Sequence, residues 1–331
     1  MRNKYSIELI SQKSPRELID DMSQAQFSLL RSFGCGFMNV MYVWVRLACL
    51  FFIRIAERRA DRLMSKKPKM GRREALKKSL GEIFKHGAPS TILDKPSFSK
   101  PKCGFVIGFN HPSLGEIIRL MGICMLTYPD NSYLFPVNII WYEALAPIMP
   151  RLSNFGFILM PIITPSARKT LLRHSKKIAA RVQVNRLTRG FINAYMDRSV
   201  DVIREGQIVL VAPSATRKTH LYPNEKVASG QAPIKPQTMT LLAMRLIEEK
   251  VEHFAFIPVA VIAPQGASRG LNLLDTYKIV PCYAISEDMV RNKCQEREPN
   301  CDGRCFERYF LDAIARALKA NGAGDRIIGP D

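Results

Sequence analysis

An imidazole and a carboxylate stand five residues apart in the segment 110–116, which has the sequence NHPSLGE. A carboxylate that accepts a hydrogen bond from an imidazole fixes the tautomer of the ring and stabilises the imidazolium formed when the ring takes up a proton. His111 and Glu116 are therefore suited to general-base chemistry on an alcohol. The alternative is structural: a capping or core histidine, followed by a first-turn acid that the helix dipole favours.

The flanking sequence predicts a strand before this segment and a helix after it. Residues 104–109 form a short apolar run, GFVIGF, and residues 117–123 have the helix-like sequence IIRLMGI. Pro112 suits the first position of a helix, which places His111 at the helix start. Side chains five residues apart point about 140° away from each other on a straight helix, so the two groups can meet only if His111 lies just outside the first turn.

Strands alternate with helices along the rest of the chain. Apolar runs predict strands at 133–140, 208–211 and 254–262, and helical spacing predicts helices at 239–250 and 304–320. This alternation predicts an α/β fold with a central mixed, largely buried sheet that is flanked by helices.

The most apolar stretch, 33–53, is about long enough to cross a bilayer as a helix. Its ten Phe, Val, Leu and Ile residues favour insertion by roughly 3–6 kcal/mol, whereas Arg46 at the centre of a span costs roughly 2.5–3.5 kcal/mol. An interfacial or re-entrant helix, with Arg46 snorkelling to the head groups, is therefore at least as well supported as a span. Residues 54–85 follow with twelve Lys and Arg against four Asp and Glu, which is typical of binding to anionic lipid. The alternative is a solvated helix that follows a core helix.

The net charge of +20, from 49 Lys and Arg against 29 Asp and Glu, predicts an anionic partner. Nucleic acid is disfavoured because the basic residues flank apolar helices and lack interleaved aromatic side chains for base stacking. Residues 168–189 contain eight basic residues and no acid, and they predict a basic amphipathic helix with Leu171, Leu172 and Val182 on its apolar face. Such a helix could bind donor phosphates, an acidic acyl carrier protein or the bilayer, or it could be merely solvated.

Eight cysteines and a polar start to the chain, without the pattern of a secretory leader, favour a reducing compartment. Four of them, Cys282, Cys294, Cys301 and Cys305, cluster near the end of the chain without a paired C-x-x-C. Free thiols are the default interpretation, and a zinc site is the alternative.

Four motifs between residues 104 and 262 occur in the order found in the lysophospholipid acyltransferase superfamily, which includes 1-acyl-glycerol-3-phosphate acyltransferase. The chain resembles this family in its first motif, N-H-x-x-x-x-D, which is matched by Asn110-His111 with Glu116 in place of Asp. The second motif is a glycine-led apolar block, matched by Gly156 to Met160, and the third is F-P-E-G-T-R, matched by Ala212 to Arg217. The fourth is a strand with an embedded proline, matched by the strand that contains Pro258. The order of the motifs over about half the chain carries the resemblance.

The resemblance implies an acyltransferase that moves a fatty-acyl group from acyl-CoA or acyl carrier protein to a lipid hydroxyl, preferably of a lysophospholipid. It implies a glycerolipid acyltransferase-like fold, no metal and no cofactor beyond the acyl donor. The apolar stretch 33–53 and the polybasic residues 54–85 predict that the protein associates with the cytoplasmic face of an anionic membrane as a peripheral or monotopic protein. The resemblance implies His111 and Glu116 as the catalytic residues. The residues that it implies for substrate binding are Asn110, Ser113, Gly156, Pro213, Ser214, Ala215, Thr216 and Arg217.

The third motif departs from the family pattern. Ser214 stands where the family has Glu and Ala215 where it has Gly, and Ile162 stands near the place of a basic residue that follows the glycine of the second motif. In the family these positions are associated with the phosphorylated acceptor. A glycolipid, sugar or amine acceptor is therefore the enzymatic alternative, and a catalytically degenerate member that binds membrane or lipid is the non-enzymatic one.

The chain divides into three predicted segments. Residues 1–86 form a membrane-associating helical segment with the polybasic helix, residues 87–290 the acyltransferase domain, and residues 291–331 a cysteine-containing loop and a closing helix. The first boundary is marked by the Pro- and Ser-rich residues 87–102.

Overall fold

The computed structural model describes residues 10, 12–24, 28–32, 39–85, 103–111, 115–173, 178–213, 220–229, 238–263, 277–296 and 305–328. Its strands are β1 (Gly104–Phe109), β2 (Tyr133–Asn138), β3 (Phe157–Ile162), β4 (Ile208–Val211), β5 (Phe254–Ile262), β6 (Lys278–Pro281) and β7 (Ile285–Ser286). Its helices are α1 (Pro15–Ser23), α2 (Leu29–Ser32), α3 (Asn39–Lys66), α4 (Arg72–Lys85), α5 (Gly115–Thr127), α6 (Ile139–Leu145), α7 (Met149–Ser153), α8 (Pro165–Arg173), α9 (Ile178–Arg204), α10 (Glu225–Ala228), α11 (Thr238–Glu248), α12 (Glu287–Gln295) and α13 (Cys305–Ala320). The α/β class with mixed strand pairing and flanking helices is confirmed.

The chain folds into two compact units. One consists of Met1–Leu76 with Ser132–Ser199, and the other of Lys77–Asn131 with Val200–Asp331. The predicted boundaries after residues 86 and 290 stay predictions. The roles given to the three segments stay predictions.

The first unit contains β2 and β3, which pair in parallel from Tyr133 opposite Phe157 to Asn138 opposite Ile162. Its hydrophobic core joins side chains from the N-terminal helices to side chains from α6, α8 and α9; they include Leu18, Leu30, Tyr42, Tyr142, Leu171, Leu187 and Phe191. Hydrogen bonds make a second connection between the N-terminal helices and α6. The fully buried carboxylate of Glu143 accepts them from Ser28 Oγ at 2.6 Å and from Leu30 N at 3.1 Å. A buried carboxylate is costly without such donors. The N-terminal helices are therefore part of this core.

The second unit contains a mixed sheet in the order β4-β1-β5-β6, with β7 also paired to β5. Strands β4, β1 and β5 are parallel, whereas β6 and β7 run antiparallel to β5. The glycines of β1 allow neighbouring segments to pack closely on the strand: a Cβ at Gly104 would lie 2.3 Å from Ile203 O, and one at Gly108 would lie 2.5 Å from Phe310 Cζ. The apolar, almost wholly buried runs of β1, β4 and β5 are typical of parallel strands covered on both faces.

The closing helix predicted at the C-terminal end is confirmed as α13, which packs on β5. The rings of Phe256 and Phe306 meet edge to face with centroids 4.9 Å apart, and Ile314 and Leu318 are fully buried. Aromatic pairs in this geometry add to the stabilisation that burial provides.

The predicted strands at 208–211 and 254–262 are confirmed, but the strand predicted at 133–140 ends at Asn138. The reason is a helix cap: Asn138 Oδ1 accepts a hydrogen bond from Ile140 N at 3.0 Å, and α6 begins at once.

The basic helix predicted at 168–189 falls on α8 and α9. Residues 174–177 lie outside the described residues, so a single helix over this range stays a prediction. Leu171 is buried as predicted, but the side chain of Val182 is 59% exposed. The buried face of α9 is instead formed by Val184, Leu187 and Phe191, which follow one another at helical spacing.

Candidate active site and an exposed helix

His111 lies two residues beyond the carboxyl end of β1, the strand between β4 and β5. Its side chain is partly buried, and its ring lies edge-on to that of Phe109, with centroids 6.4 Å apart. In open α/β sheets, ligands bind in the crevice outside the carboxyl ends of the strands. His111 therefore lies where a ligand or substrate would be expected to bind.

Asn110 fixes the chain immediately before His111. Its Nδ2 donates to Val261 O at 2.8 Å, and its Oδ1 accepts from Val261 N at 2.6 Å. The carboxamide thus continues the hydrogen-bonded ladder between β1 and β5 by one step after β1 has ended. Asn110 was predicted to bind substrate, and the structure gives its side chain a positioning contact with the main chain of β5.

Pro213 lies at the same edge of the sheet as His111. Strand β4 pairs in parallel with β1, with Val211 opposite Gly108, so Pro213 and His111 follow the carboxyl ends of neighbouring strands. Pro213 is buried, and its carbonyl oxygen accepts a hydrogen bond from Thr238 Oγ1 at 3.2 Å. Of the predicted site residues, the structure therefore brings Asn110, His111 and Pro213 to one edge, and it adds the amino end of α11.

The amino end of α11 is held by Glu307, a residue of α13 that the sequence did not single out. The fully buried Glu307 carboxylate accepts from Thr240 N at 2.9 Å and from Thr240 Oγ1 at 3.0 Å. A carboxylate here satisfies an amide group that lacks an intrahelical partner and complements the positive end of the helix dipole. No local pattern could have revealed this pair, because the two residues are 67 positions apart.

Five of the residues predicted to bind substrate lie outside the described residues: Ser113, Ser214, Ala215, Thr216 and Arg217. Glu116 is the second residue of α5, and its side chain also lies outside the described part of the structure. The pairing of His111 with Glu116 therefore stays a prediction.

Gly156 belongs to the first compact unit, where it precedes β3. Its φ of +84° lies in the left-handed region that glycine adopts without strain, and its carbonyl oxygen accepts from Tyr133 N at 2.8 Å. It thus forms the turn at the amino ends of β2 and β3, and its predicted contact with substrate stays a prediction.

No known family model matches the chain. A search of curated proteins likewise finds no significant match. The resemblance to the lysophospholipid acyltransferase superfamily rests on the four sequence motifs.

The 28-residue helix α3 joins the predicted apolar stretch to the start of the polybasic segment. Its exposed large apolar side chains are Val43, Trp44, Leu47 and Phe51, which together we call the α3 apolar face. Trp44 is 69% exposed and Phe51 62% exposed. Among the residues that the structure describes, no helix combines the length and the apolar character needed to span a bilayer.

Arg46 does not have the orientation expected of a snorkelling side chain. Its Nε donates to Ala144 O at 2.6 Å and its guanidinium also contacts Glu143 O at 3.4 Å, both at the carboxyl end of α6. A cation is favoured there because the last carbonyl groups of a helix lack intrahelical partners. The expectation of snorkelling was wrong, and Arg46 does not interrupt the α3 apolar face.

The thiol of Cys282 is partly buried and lies 3.4 Å from Ala313 O. Burial raises the pKa of Cys282 to about 11, so the thiol form is favoured over the thiolate that binds metal. Within the described ranges, no three His, Cys, Asp or Glu side chains are grouped so that they could hold a metal ion. Cys301 and the side chain of Cys305 lie outside those ranges.

Proposed function

We propose that this protein is a membrane-associated acyltransferase that moves a fatty-acyl group from acyl-CoA or acyl carrier protein to a lipid hydroxyl, preferably of a lysophospholipid. The observation that carries the proposal is the position of His111, which is held at the carboxyl end of β1 by the two hydrogen bonds between Asn110 and Val261. This is where the motif resemblance requires a general base.

In the proposed reaction, an imidazole nitrogen of His111 takes the proton of the acceptor hydroxyl as the hydroxyl oxygen attacks the thioester carbonyl carbon. The tetrahedral intermediate then loses the thiolate, which takes up the proton from the imidazolium. Glu116 stabilises the imidazolium while it carries that proton. Arg217 or backbone N–H groups stabilise the negative charge on the carbonyl oxygen or a substrate phosphate.

A glycolipid, sugar or amine acceptor is the second candidate, and the observation that favours it is Ser214 in place of the family's Glu. A degenerate, lipid-binding member is the non-enzymatic alternative. It has no need of an intact His and acid pair, whereas this chain keeps both His111 and Glu116.

Lysophosphatidic acid is expected to be a weak or inactive acceptor relative to the true one, because Ser214 and Ala215 alter the motif that the family uses for phosphorylated acceptors. The measurement is acyl transfer from a single thioester donor to a panel of lysophospholipids, glycolipids and amines. If lysophosphatidic acid proves the best acceptor, the weight given to these two residues is wrong.

The proposed membrane association uses the α3 apolar face, with the arginines that follow it on α3 contacting lipid phosphates at the cytoplasmic face of an anionic membrane. Deleting residues 1–76 would be a poor test, because Leu18, Leu30 and Tyr42 belong to the same core as Phe191. Point substitutions on the exposed face leave that core intact.

Trp44→Ala combined with Phe51→Ala is expected to lower binding to vesicles of phosphatidylcholine and phosphatidylserine by about ten-fold or more, since full burial of one large apolar side chain contributes about 1.5–3 kcal/mol. Vesicle flotation measures this. The matched control is Leu241→Ala with Met244→Ala, which removes two exposed apolar side chains from another helix, α11. Similar losses in the two pairs, or none in the first, would rule out α3 as the docking element.

A further inference from the structure

A cavity of about 560 Å³ lies between α3 and α7 in the first compact unit. It is lined by Arg151 of α7 and by six residues of α3, which are Leu47, Leu50, Phe51, Arg54, Ile55 and Arg58. The volume is within the range of small-molecule sites. The polybasic pattern of the sequence gave no indication of Arg151, which lies almost one hundred residues after the segment that it faces.

Four of the six α3 residues that line the cavity form a stripe that changes from apolar to cationic. Positions 47, 51, 54 and 58 are spaced by four, three and four residues, which places them on one face of a helix. At 1.5 Å per residue, the stripe is about 16 Å long. Its apolar part belongs to the α3 apolar face, which continues to Trp44. The cavity is thus amphipathic and joins a surface that is exposed and apolar.

The three guanidinium groups of the cavity are exposed. Within the described residues, the side chains of Arg54, Arg58 and Arg151 form no ion pair and no hydrogen bond. The acids of the same helix, Glu57 and Asp61, are not among the lining residues. Guanidinium groups bind phosphate oxygens in a bidentate geometry that ammonium groups cannot match.

We propose that this cavity binds one anionic phospholipid from the membrane surface, with its phosphate at the three arginines and its glycerol and acyl part against Leu47 and Phe51. The proposal rests on the membrane association proposed above and adds a defined site with a preference for the headgroup. A lipid fits better than a free phosphomonoester, because half of the α3 stripe is apolar and continues onto the exposed face that would meet the bilayer.

The test compares two double variants of the full chain by titration calorimetry with dihexanoyl phosphatidic acid, a soluble short-chain lipid. Arg58→Gln with Arg151→Gln removes two cavity guanidiniums, and Arg59→Gln with Arg62→Gln removes two exposed guanidiniums of α3 that do not line the cavity. Saturable binding by the wild-type protein is expected. The cavity pair should weaken it by about ten-fold or more, the effect of losing charge-assisted hydrogen bonds, and the control pair by about two-fold at most.

Three results would overturn the proposal: no saturable binding by the wild-type protein, equal losses in the two pairs, or binding of inorganic phosphate as tight as that of the short-chain lipid and weakened by the same cavity pair. The first two would indicate diffuse electrostatic attraction, and the third a different ligand. Acyl transfer in detergent micelles is measured on the same variants. Transfer that persists in the cavity pair while lipid binding is lost supports the site, whereas absence of transfer in the wild-type protein counts against the proposed enzyme and leaves the binding result standing.

Discussion

Replacing His111 with Ala is expected to slow acyl transfer from a thioester by about 10²–10⁴-fold, the usual contribution of a positioned general base. The fold should persist, because the His111 side chain is only partly buried and stands beyond the end of β1. The measurement is transfer of a radiolabelled acyl group under single-turnover conditions, with circular dichroism as the check on folding. A variant that unfolds would show that His111 is structural, and one with near-normal turnover would remove it from the mechanism.

Replacing Asn110 with Ala is expected to lower kcat by about 100-fold, because displacement of a catalytic group by about 1 Å can cost that much. The substitution removes both hydrogen bonds that join the chain before His111 to β5. It also leaves the N–H and C=O groups of Val261 without these partners, which should reduce the free energy of unfolding by about 1–3 kcal/mol for each group that is kept from water.

The matched variant is Asn110→Asp, which keeps an oxygen to accept from Val261 N but cannot donate to Val261 O when ionised. Its kcat should fall between those of the wild-type protein and Asn110→Ala. A positioning role predicts that kcat falls while KM changes little, when both are measured well below the unfolding temperature. If the kcat of folded Asn110→Ala equals that of the wild-type protein, Asn110 contributes to the stability of the fold alone. A change confined to KM would instead favour the original expectation that Asn110 binds substrate.

The parts of the fold that could be predicted from the sequence are those set by local patterns. The runs GFVIGF and FAFIPVAVI are short, apolar and ended by polar or turn-forming residues, and they form β1 and β5 with the predicted bounds. Helical spacing of Phe306, Phe310 and Ile314 likewise identified the closing helix, because a single face had to be buried.

The contacts that were not predicted join residues that are far apart in the sequence. Arg46 was expected to reach lipid head groups, and it binds carbonyl groups about one hundred positions later. Asn110 was assigned by the motif to substrate, and its partner Val261 is 151 positions away. Such pairings depend on the tertiary fold, which neither periodicity nor short motifs specify.

The proposed dyad is tested most directly by a double-mutant cycle on His111 and Glu116, with acyl transfer from a radiolabelled thioester as the measured rate. Glu116→Gln should reduce the rate less than His111→Ala does, because the amide can still orient the ring but cannot stabilise the imidazolium as a carboxylate does. Groups that act as a unit are strongly non-additive, so the double variant is expected to be barely slower than His111→Ala alone. If the two losses multiply instead, the two residues act independently and the dyad mechanism is wrong.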